Sequence, residues 1–428
     1  MRKTAEKMIE TIKASTSPYQ TTYYVSQQLK EHNFIELDYK DNWNLECGKS
    51  YFINPYGTTL IAFRANQNFK SDCNIRIASA HIDNPCFRIK YNPEFYQGNY
   101  MKLNVELYGT AILNTWLDRP LSIAGRVYIN REGKIQTKLV DFSQPLLLIP
   151  NLPIHLNHKV NEGTALNPQI DMLPMVGVAK GDKKLNHQFL IDLIAKKLDI
   201  DPADIINYDL CIYNCQNSCI TGFDNDFLMA PRIDNLSSVQ ACVNGIINSK
   251  RENGIDIIAL FDNEEIGNRG KNGALSNMLS LILDRIYNNY NIQRDEYIKS
   301  LMSGYYISLD VAHAIHPNSP QRYDFTSAIS INDGIAIKTS SKHNYCYDNE
   351  MNANLLLLAK EHDIPMKISF LRSDYNVGST IGSALSSKFP MACADIGIPI
   401  LAMHSAMETM GINDQYYLEK FLSIYFTK

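Results

Sequence analysis

Three carboxylates crowd into four positions at Asp262, Glu264 and Glu265, directly after the apolar run 255–261. Grouping like charges costs free energy, because the charges repel one another and each one loses hydration. A metal ion would relieve that cost, with Glu265 as its ligand and Glu264 as the base that takes a proton from a water molecule. Taken alone, the segment fits a solvated surface turn equally well.

A histidine and an aspartate follow another short strand pattern, 75–80, as the triplet His81-Ile82-Asp83. A histidine that binds zinc usually gives its second N–H to a carboxylate, which fixes the tautomer of the ring. Asp83 is spaced to accept that hydrogen. Triplets of this kind often arise by chance, so the signal is weak by itself.

Asp234 and His404 are further candidate ligands, each with a simpler alternative. Asp234 precedes the apolar helical stripe that begins at Leu236, and by itself it fits a helix N-cap better than a carboxylate that bridges two metal ions. His404 follows the apolar run 398–403, where a satisfied core histidine is the commoner arrangement.

A carboxylate and two histidines lie close together after the run 305–309, at Asp310, His313 and His316. Asp310 would end a buried strand, which suits a metal ligand. His313 and His316 could line a substrate pocket, or they could be ordinary loop or helix-face residues.

The predicted elements bring these segments to one place. We predict two helices within 1–32, a hairpin over 50–65, and short buried strands over 255–261, 305–309 and 398–403. Open α/β sheets bind their ligands beyond the carboxyl ends of the strands. One site could therefore collect the candidate ligands, although more than three hundred positions separate the first from the last.

The pattern of predicted secondary structure divides the chain into three parts. Residues 89–225 alternate in a β pattern, with few helical segments, and predict an inserted, mostly β domain. Residues 1–88 and 226–428 show an α/β pattern and would form one catalytic domain in two pieces.

Composition limits the class of protein. The chain has 428 residues, 45% of them hydrophobic and 20% charged, which is typical of globular proteins. A net charge of −4 argues against a nucleic-acid or anionic-membrane partner. No apolar run approaches the roughly 18–20 residues that span a bilayer, and residues 1–16 show no secretory signal.

Nine cysteines, an odd number spread over a long chain, favour a reducing cytoplasm over a disulfide framework. Cys211, Cys215 and Cys219 are evenly spaced, but a strand over 208–213 would keep the three thiols off a common face. We therefore favour structural roles for them over metal binding.

Six ordered motifs together carry a resemblance to a known family. They are Ser79 to Pro85, Arg232 to Leu236, Asp262 to Gly267, Asp310 to Asn318, Gly378 to Gly382 and Ala402 to Ser405. In this order, over nearly the whole chain, they resemble the M18 metallopeptidases, the aspartyl aminopeptidases.

The resemblance implies a mixed-sheet α/β/α zinc-peptidase domain with two Zn²⁺ per subunit, for which Mn²⁺ or Co²⁺ could substitute. By the family pattern, His81 and Asp310 hold one ion and Glu265 and His404 the other. Asp234 bridges the two ions. Asp83 orients His81, and Glu264 is the general base for removal of the N-terminal residue from peptides with a free N-terminus.

The resemblance also implies substrate-binding residues and an assembly. Lys338 and the loop Gly378, Ser379 and Thr380 match substrate-binding positions, and His155 matches a histidine that reaches a neighbouring subunit. The inserted domain would dimerise, and dimers would build a tetrahedral homododecamer.

One departure bears on specificity, since Asn344 stands where the family often has arginine. Acidic-residue preference therefore stays open. Two other readings are a related di-zinc exopeptidase of different specificity and a catalytically inactive, self-assembling protein. The presence of all five ligands and Glu264 speaks against the inactive form.

Overall fold

The computed structural model describes residues 1–179, 188–375 and 377–428. These residues form two compact units. The first unit comprises Met1–Asp83, Cys219–Met403 and Glu408–Lys428, and the second unit comprises Asn84–Ser218 and His404–Met407.

The helices of the described residues begin with the two that were predicted at the N-terminus. They are α1 (Arg2–Ala14), α2 (Pro18–Glu31), α3 (Phe189–Leu198), α4 (Ile233–Ile247), α5 (Met278–Asn289), α6 (Arg294–Met302), α7 (Asn349–Glu361), α8 (Ile381–Ser386) and α9 (Ile412–Tyr425). At the start of α2, the Ser17 hydroxyl accepts the Tyr19 N–H and Pro18 occupies the first helical position, where its missing N–H costs nothing. No helix in the described part of the chain has the length and apolar character needed to cross a membrane.

The strands of the described residues are numbered in chain order. They are β1 (Ile35–Glu36), β2 (Ser50–Ile53), β3 (Leu60–Ala65), β4 (Ile75–His81), β5 (Cys86–Gln97), β6 (Tyr100–Tyr108), β7 (Leu121–Arg131), β8 (Lys134–Asp141), β9 (Met175–Val178), β10 (Ile205–Asn214), β11 (Cys219–Thr221), β12 (Phe227–Ala230), β13 (Ile255–Phe261), β14 (Tyr305–Leu309), β15 (Ala312–His313), β16 (Ile335–Thr339), β17 (Met366–Phe370), β18 (Ala392–Gly397), β19 (Pro399–Leu401) and β20 (Glu408–Gly411).

The first unit is built on a nine-stranded mixed sheet in the order β1-β2-β3-β13-β4-β14-β18-β16-β17. Strands β13, β4, β14 and β18 are parallel neighbours, whereas β3 and β16 pair antiparallel at either side of them. Apolar side chains pack on both faces of the sheet, and all seven residues of β13 are buried. The predicted mixed-sheet α/β class is confirmed.

The parallel centre of this sheet explains why distant residues meet. Phe261 at the end of β13 pairs with His81 at the end of β4, and Ser308 near the end of β14 pairs with Ser79. The residues that follow these strands therefore emerge at the same sheet edge.

A second sheet of the first unit has five strands, in the order β11-β12-β20-β19-β15. The second unit holds an antiparallel six-stranded sheet, β8-β7-β10-β5-β6-β9, which packs its own apolar core together with α3.

The predicted strand over 398–403 is confirmed only in part, because β19 covers Pro399–Leu401 alone and belongs to the five-stranded sheet. The chain forms β18 in the nine-stranded sheet, changes sheet after Gly397, and forms the short β19 in the five-stranded sheet. A Cβ atom at Gly397 would collide with the Asp310 backbone oxygen, so the two backbone segments approach each other closely at this glycine. The apolar run gave no sign of this approach. Ala402 and His404 have φ values of 56° and 66°, which end the extended conformation.

Candidate metal centre

His81 ends β4 as a buried side chain with both ring nitrogens in polar contacts. Its Nδ1 lies 3.0 Å from the Asp83 backbone oxygen. Its Nε2 lies 3.3 Å from Asp234 Oδ1 and 3.5 Å from Asp310 Oδ1. A carbonyl on one nitrogen and carboxylates facing the other is the arrangement that orients a histidine toward a metal ion.

Ligand atoms of His81, Asp234 and Glu265 all lie within 4.8 Å of one another. Donors bound tetrahedrally at zinc distances would be about 3.4 Å apart, close to the separations of Nε2 from the two aspartates. Imidazole and carboxylate donors are also ligands that zinc accepts. The residues present therefore fit a zinc site.

Asp234 lies in the irregular first turn of α4. Asp234 and Asn235 have non-helical dihedral angles, and the N-cap position of the helix is Arg232 rather than Asp234. The Asp234 N–H donates to Glu408 Oε2 at 3.0 Å, and the Asn235 amide donates to the Leu309 oxygen at 2.9 Å. The Asn235 contact ties this turn to the strand that ends just before Asp310.

Asp83 holds the turn that carries the two glutamates. Its carboxylate accepts the backbone N–H of Glu264 at 3.2 Å and that of Glu265 at 3.1 Å. The sequence predicted a contact from this carboxylate to His81, but Asp83 Oδ1 lies 3.6 Å from Nδ1, farther than the Asp83 backbone oxygen. In the structure, one residue therefore touches both the histidine and the glutamate turn.

Burial raises the pKa of Glu264 to about 8, with His81 opposing the shift and the Asp310, Asp83 and Asp234 carboxylates adding to it. Burial also acts to raise the pKa of Asp310, but the nearby Lys338 and His81 outweigh it, so that this pKa is lowered. The cluster is rich in negative charge, and a bound cation would stabilise its ionised form.

Lys338 is brought to this cluster by β16. It is 5% exposed, and its Nζ lies 3.5 Å from Asp310 Oδ2 and 2.9 Å from Asp395 Oδ1. Thr380 donates its hydroxyl to Asp395, which links the predicted substrate loop to the same pair. Gly378 and Ser379 are exposed in that loop, and Thr380 is buried.

His313 and His316 are both exposed. His313 lies on β15, and His316 accepts the Asn318 N–H at 3.2 Å in the loop that follows. Their part in substrate binding stays a prediction.

Two predicted site residues belong to the second unit. His404 Nδ1 lies 2.7 Å from the Thr110 oxygen, so a hydrogen on Nδ1 would leave the lone pair of the ring on Nε2. His155 is exposed in a short 3₁₀ turn, Ile154–Leu156. Their roles at a metal centre and at a neighbouring subunit stay predictions.

The three evenly spaced cysteines lie in different surroundings. Cys211 is buried in β10, Cys215 Sγ lies 3.2 Å from the Pro120 oxygen, and Cys219 is exposed at the start of β11.

Sequence reasoning missed Glu408 and Asp395. Each is at most 1% exposed. Glu408 accepts the backbone N–H of Asp234, and Asp395 pairs with Lys338. Asp395 did leave a signal, because it is a charged residue inside the apolar segment of β18. Glu408 left none, since its partner Asp234 is 174 positions away.

The α/β fold and the histidine–carboxylate cluster fit a metal-dependent enzyme, and comparison with known proteins specifies which kind. Residues 11–426 match the family described as Aminopeptidase I zinc metalloprotease (M18). A probable M18 family aminopeptidase 2 of Clostridium novyi (strain NT) is 38% identical over 418 residues, covering 97% of this chain and 96% of that protein.

Solved structures agree. Ape4, in a cryo-EM complex with Nbr1, has a TM-score of 0.94 and 29% identity, covering 99% of this chain and 85% of that one. The mApe1 dodecamer of S. cerevisiae has the same fold, with a TM-score of 0.84 and 24% identity over 99% of this chain and 96% of that one. This chain belongs to the M18 family of zinc metalloproteases and is a metallo-aminopeptidase.

Proposed function

We propose that the protein is a di-zinc aminopeptidase that removes the N-terminal residue from peptides. The observation that carries the proposal is the geometry around His81. Its Nε2 faces Asp234 and Asp310 at 3.3 and 3.5 Å, and Glu265 supplies a further ligand atom within the same 4.8 Å group.

The ligand set is proposed as follows. His81 and Asp310 would hold one zinc ion, Glu265 and His404 would hold the other, and Asp234 would be shared by both. Support for His404 comes from its Nδ1 contact with a backbone oxygen, the orientation that metal-binding histidines adopt. When bound, the zinc pair lowers the pKa of a water molecule and polarises the scissile carbonyl.

Glu264 performs the proton transfers in this mechanism. Its carboxylate takes the proton from the attacking water and later gives it to the departing amine. Asp83 keeps Glu264 in place, because it accepts the backbone N–H of Glu264 and of the adjacent ligand Glu265. The free α-amine of the peptide would be held at the carboxylate-rich cluster, which restricts cleavage to the first residue. His313, His316, Lys338 and the Gly378–Thr380 loop are proposed to contact the substrate.

The second unit is proposed to mediate self-assembly. Leu152, Ile154 and Leu156 are 59%, 50% and 74% exposed on either side of His155. Exposed apolar side chains in one segment are typical of a protein interface. The mApe1 neighbour is a dodecamer. A homododecamer built from dimers is proposed for this chain as well, and it would let His155 reach the site of another subunit. A cytoplasmic location is part of the same proposal.

The decisive experiment replaces Glu264 by glutamine in the zinc-loaded protein. Loss of the base should lower kcat by roughly 10²–10⁴-fold, while zinc content, measured by plasma mass spectrometry, remains at two ions per chain. Glu31→Gln, at the exposed end of α2, is the matched control and should be fully active. Full activity of zinc-loaded Glu264→Gln would refute the mechanism.

A second arm uses peptides with free and acetylated N-termini. The proposed aminopeptidase cleaves only the free peptides. Cleavage from the C-terminus would identify a related exopeptidase instead. If the wild-type protein cleaved neither set of peptides, the remaining alternative would be a catalytically inactive, self-assembling protein.

A further inference from the structure

Asp395 is a charged side chain in the middle of a buried strand. It lies on β18, between β14 and β16, and it is 0% exposed. A carboxylate in such a place is costly unless it is paired and hydrogen-bonded. Its two oxygens have different partners, and the partners indicate its role.

The first oxygen pairs with a buried ammonium group. Lys338 Nζ lies 2.9 Å from Asp395 Oδ1 but 3.5 Å from Asp310 Oδ2, and it also donates to the Val311 oxygen at 3.3 Å. The Tyr345 ring lies 5.1 Å from the same nitrogen. The ammonium group therefore sits between two carboxylates, closer to Asp395 than to Asp310.

The second oxygen is held from the other side. The Thr380 hydroxyl donates to Asp395 Oδ2, and Gly382 in α8 leaves the room that this oxygen needs. A Cβ atom at Gly382 would lie 2.7 Å from Asp395 Oδ2. The carboxylate of Asp395 is thus fixed in both position and orientation.

We propose that Asp395 is a positioning residue, which draws the Lys338 ammonium group away from Asp310 and keeps the Asp310 carboxylate available to a metal ion. The inference rests on the proposed role of Asp310 as a zinc ligand. A lysine and a metal ion compete for the same carboxylate oxygens, and the nearer, oriented carboxylate of Asp395 decides where the lysine resides. Thr380 keeps Asp395 turned toward Lys338, which couples the 378–380 loop to the metal centre.

The readout is zinc affinity, measured by titrating metal-free protein against a chelator of known affinity. Asp395→Asn keeps the shape of the side chain but loses its charge, so the ammonium group should move to Asp310 and zinc affinity should fall about tenfold. A simple loss of negative charge near a cation would also weaken binding, so a double-mutant cycle with Lys338→Met is required.

The cycle separates the two explanations. If Asp395 restrains Lys338, then Lys338→Met should raise zinc affinity about tenfold more in the Asp395→Asn background than in the wild type. If charges act only at a distance, Lys338→Met has the same effect in both backgrounds, and that result overturns the inference.

Thr380 supplies a matched pair that preserves every charge. Thr380→Val removes the hydroxyl that orients Asp395 and should weaken zinc binding, whereas Thr380→Ser should bind zinc as the wild type does. Equal affinity of the two variants overturns the inference even if Asp395→Asn does not fold. A wild type that binds zinc but fails to hydrolyse N-terminal residues refutes the proposed function, and the affinity cycle still decides the role of Asp395.

Discussion

The buried carboxylate of Glu408 accepts the backbone N–H of Asp234 at 3.0 Å. Glu408 is 1% exposed at the start of β20, and Asp234 is 3% exposed in the irregular first turn of α4. A hydrogen bond from a main-chain donor to a charged acceptor is among the stronger ones in proteins. The five-stranded sheet therefore sets the position of the proposed bridging ligand.

We expect Glu408→Ala to weaken zinc binding because it removes the acceptor that holds Asp234. A lost hydrogen bond of this type costs roughly 1.5–3 kcal/mol, which corresponds to at least a tenfold change if it falls on metal affinity. Glu408→Gln keeps an oxygen that can accept, so its loss should be smaller. The measurement is zinc titration of metal-free protein.

Glu419→Ala is the matched control for Glu408. Glu419 on α9 is partly buried and accepts the Asn244 amide at 2.6 Å, and its replacement should lower Tm without changing zinc affinity. Equal zinc affinity of Glu408→Ala and the wild type would show that the sheet does not position Asp234.

Asp83 offers a test of the glutamate turn. Both of its oxygens accept a backbone N–H, one from Glu264 and one from Glu265. Asp83→Asn replaces one acceptor by an NH₂ group that faces an N–H donor, so the turn should shift. A displaced base affects the chemical step, and we expect kcat to fall about 10²-fold with little change in KM. A fall in Tm with an unchanged kcat would point to a purely structural role.

Asp414 predicts a pH dependence of stability. Burial raises its pKa to about 7 in the folded protein, opposed by hydrogen bonds from the backbone N–H groups of Asn332 and Gly334. The unfolded value is about 3.9, so the folded protein binds this proton more tightly. The resulting stabilisation is present below pH ~4 and is lost as pH rises toward 7, by at most roughly 4 kcal/mol.

Asp414→Asn isolates this effect, because asparagine cannot ionise. The variant should be less stable than the wild type at pH 5, since its amide accepts fewer hydrogen bonds, and the gap should narrow by pH 8. Urea unfolding of both proteins at the two pH values measures the gap. A gap that stays constant or widens would contradict the raised pKa.

The position of Asn344 offers a test of the preference for acidic or neutral N-terminal residues. Its side-chain amide donates to the Val377 oxygen at 2.8 Å, and its backbone oxygen accepts the Thr380 N–H, so the residue helps to shape the substrate loop. Asn344→Arg keeps the backbone contact and adds a cation. The ratio of kcat/KM for N-terminal Asp or Glu to that for Leu should rise roughly tenfold, the scale of one charge-assisted hydrogen bond.

Asn344→Gln is the neutral control for that variant and should leave the ratio unchanged. An equal rise with glutamine would mean that the shape of the loop, rather than charge, selects the substrate.

Local patterns were sufficient to predict much of the catalytic framework. The apolar run of β13, with three carboxylates just beyond it, indicated a buried strand that ends at a charged site. The motif order identified the family. Strand-end placement predicted that His81, Asp310, the glutamates and His404 would lie at one sheet edge, but His404 follows β19 of the five-stranded sheet. Hydrophobic periodicity is a local property that predicts which strands are buried. In a parallel sheet the carboxyl ends of such strands lie at the same edge, so the residues that follow them meet there.

Tertiary structure alone decided which groups hold the ligands in place. The contacts of Asp234 with Glu408 and of Asp395 with Lys338 join residues far apart in sequence, and no local pattern encodes such pairs. The change from the nine-stranded to the five-stranded sheet after Gly397 could not be predicted either, because an apolar run predicts burial but not the sheet to which each part belongs. The sequence by itself determined the family and the candidate ligands, whereas packing between distant strands determined their positions and the neighbours that restrain them.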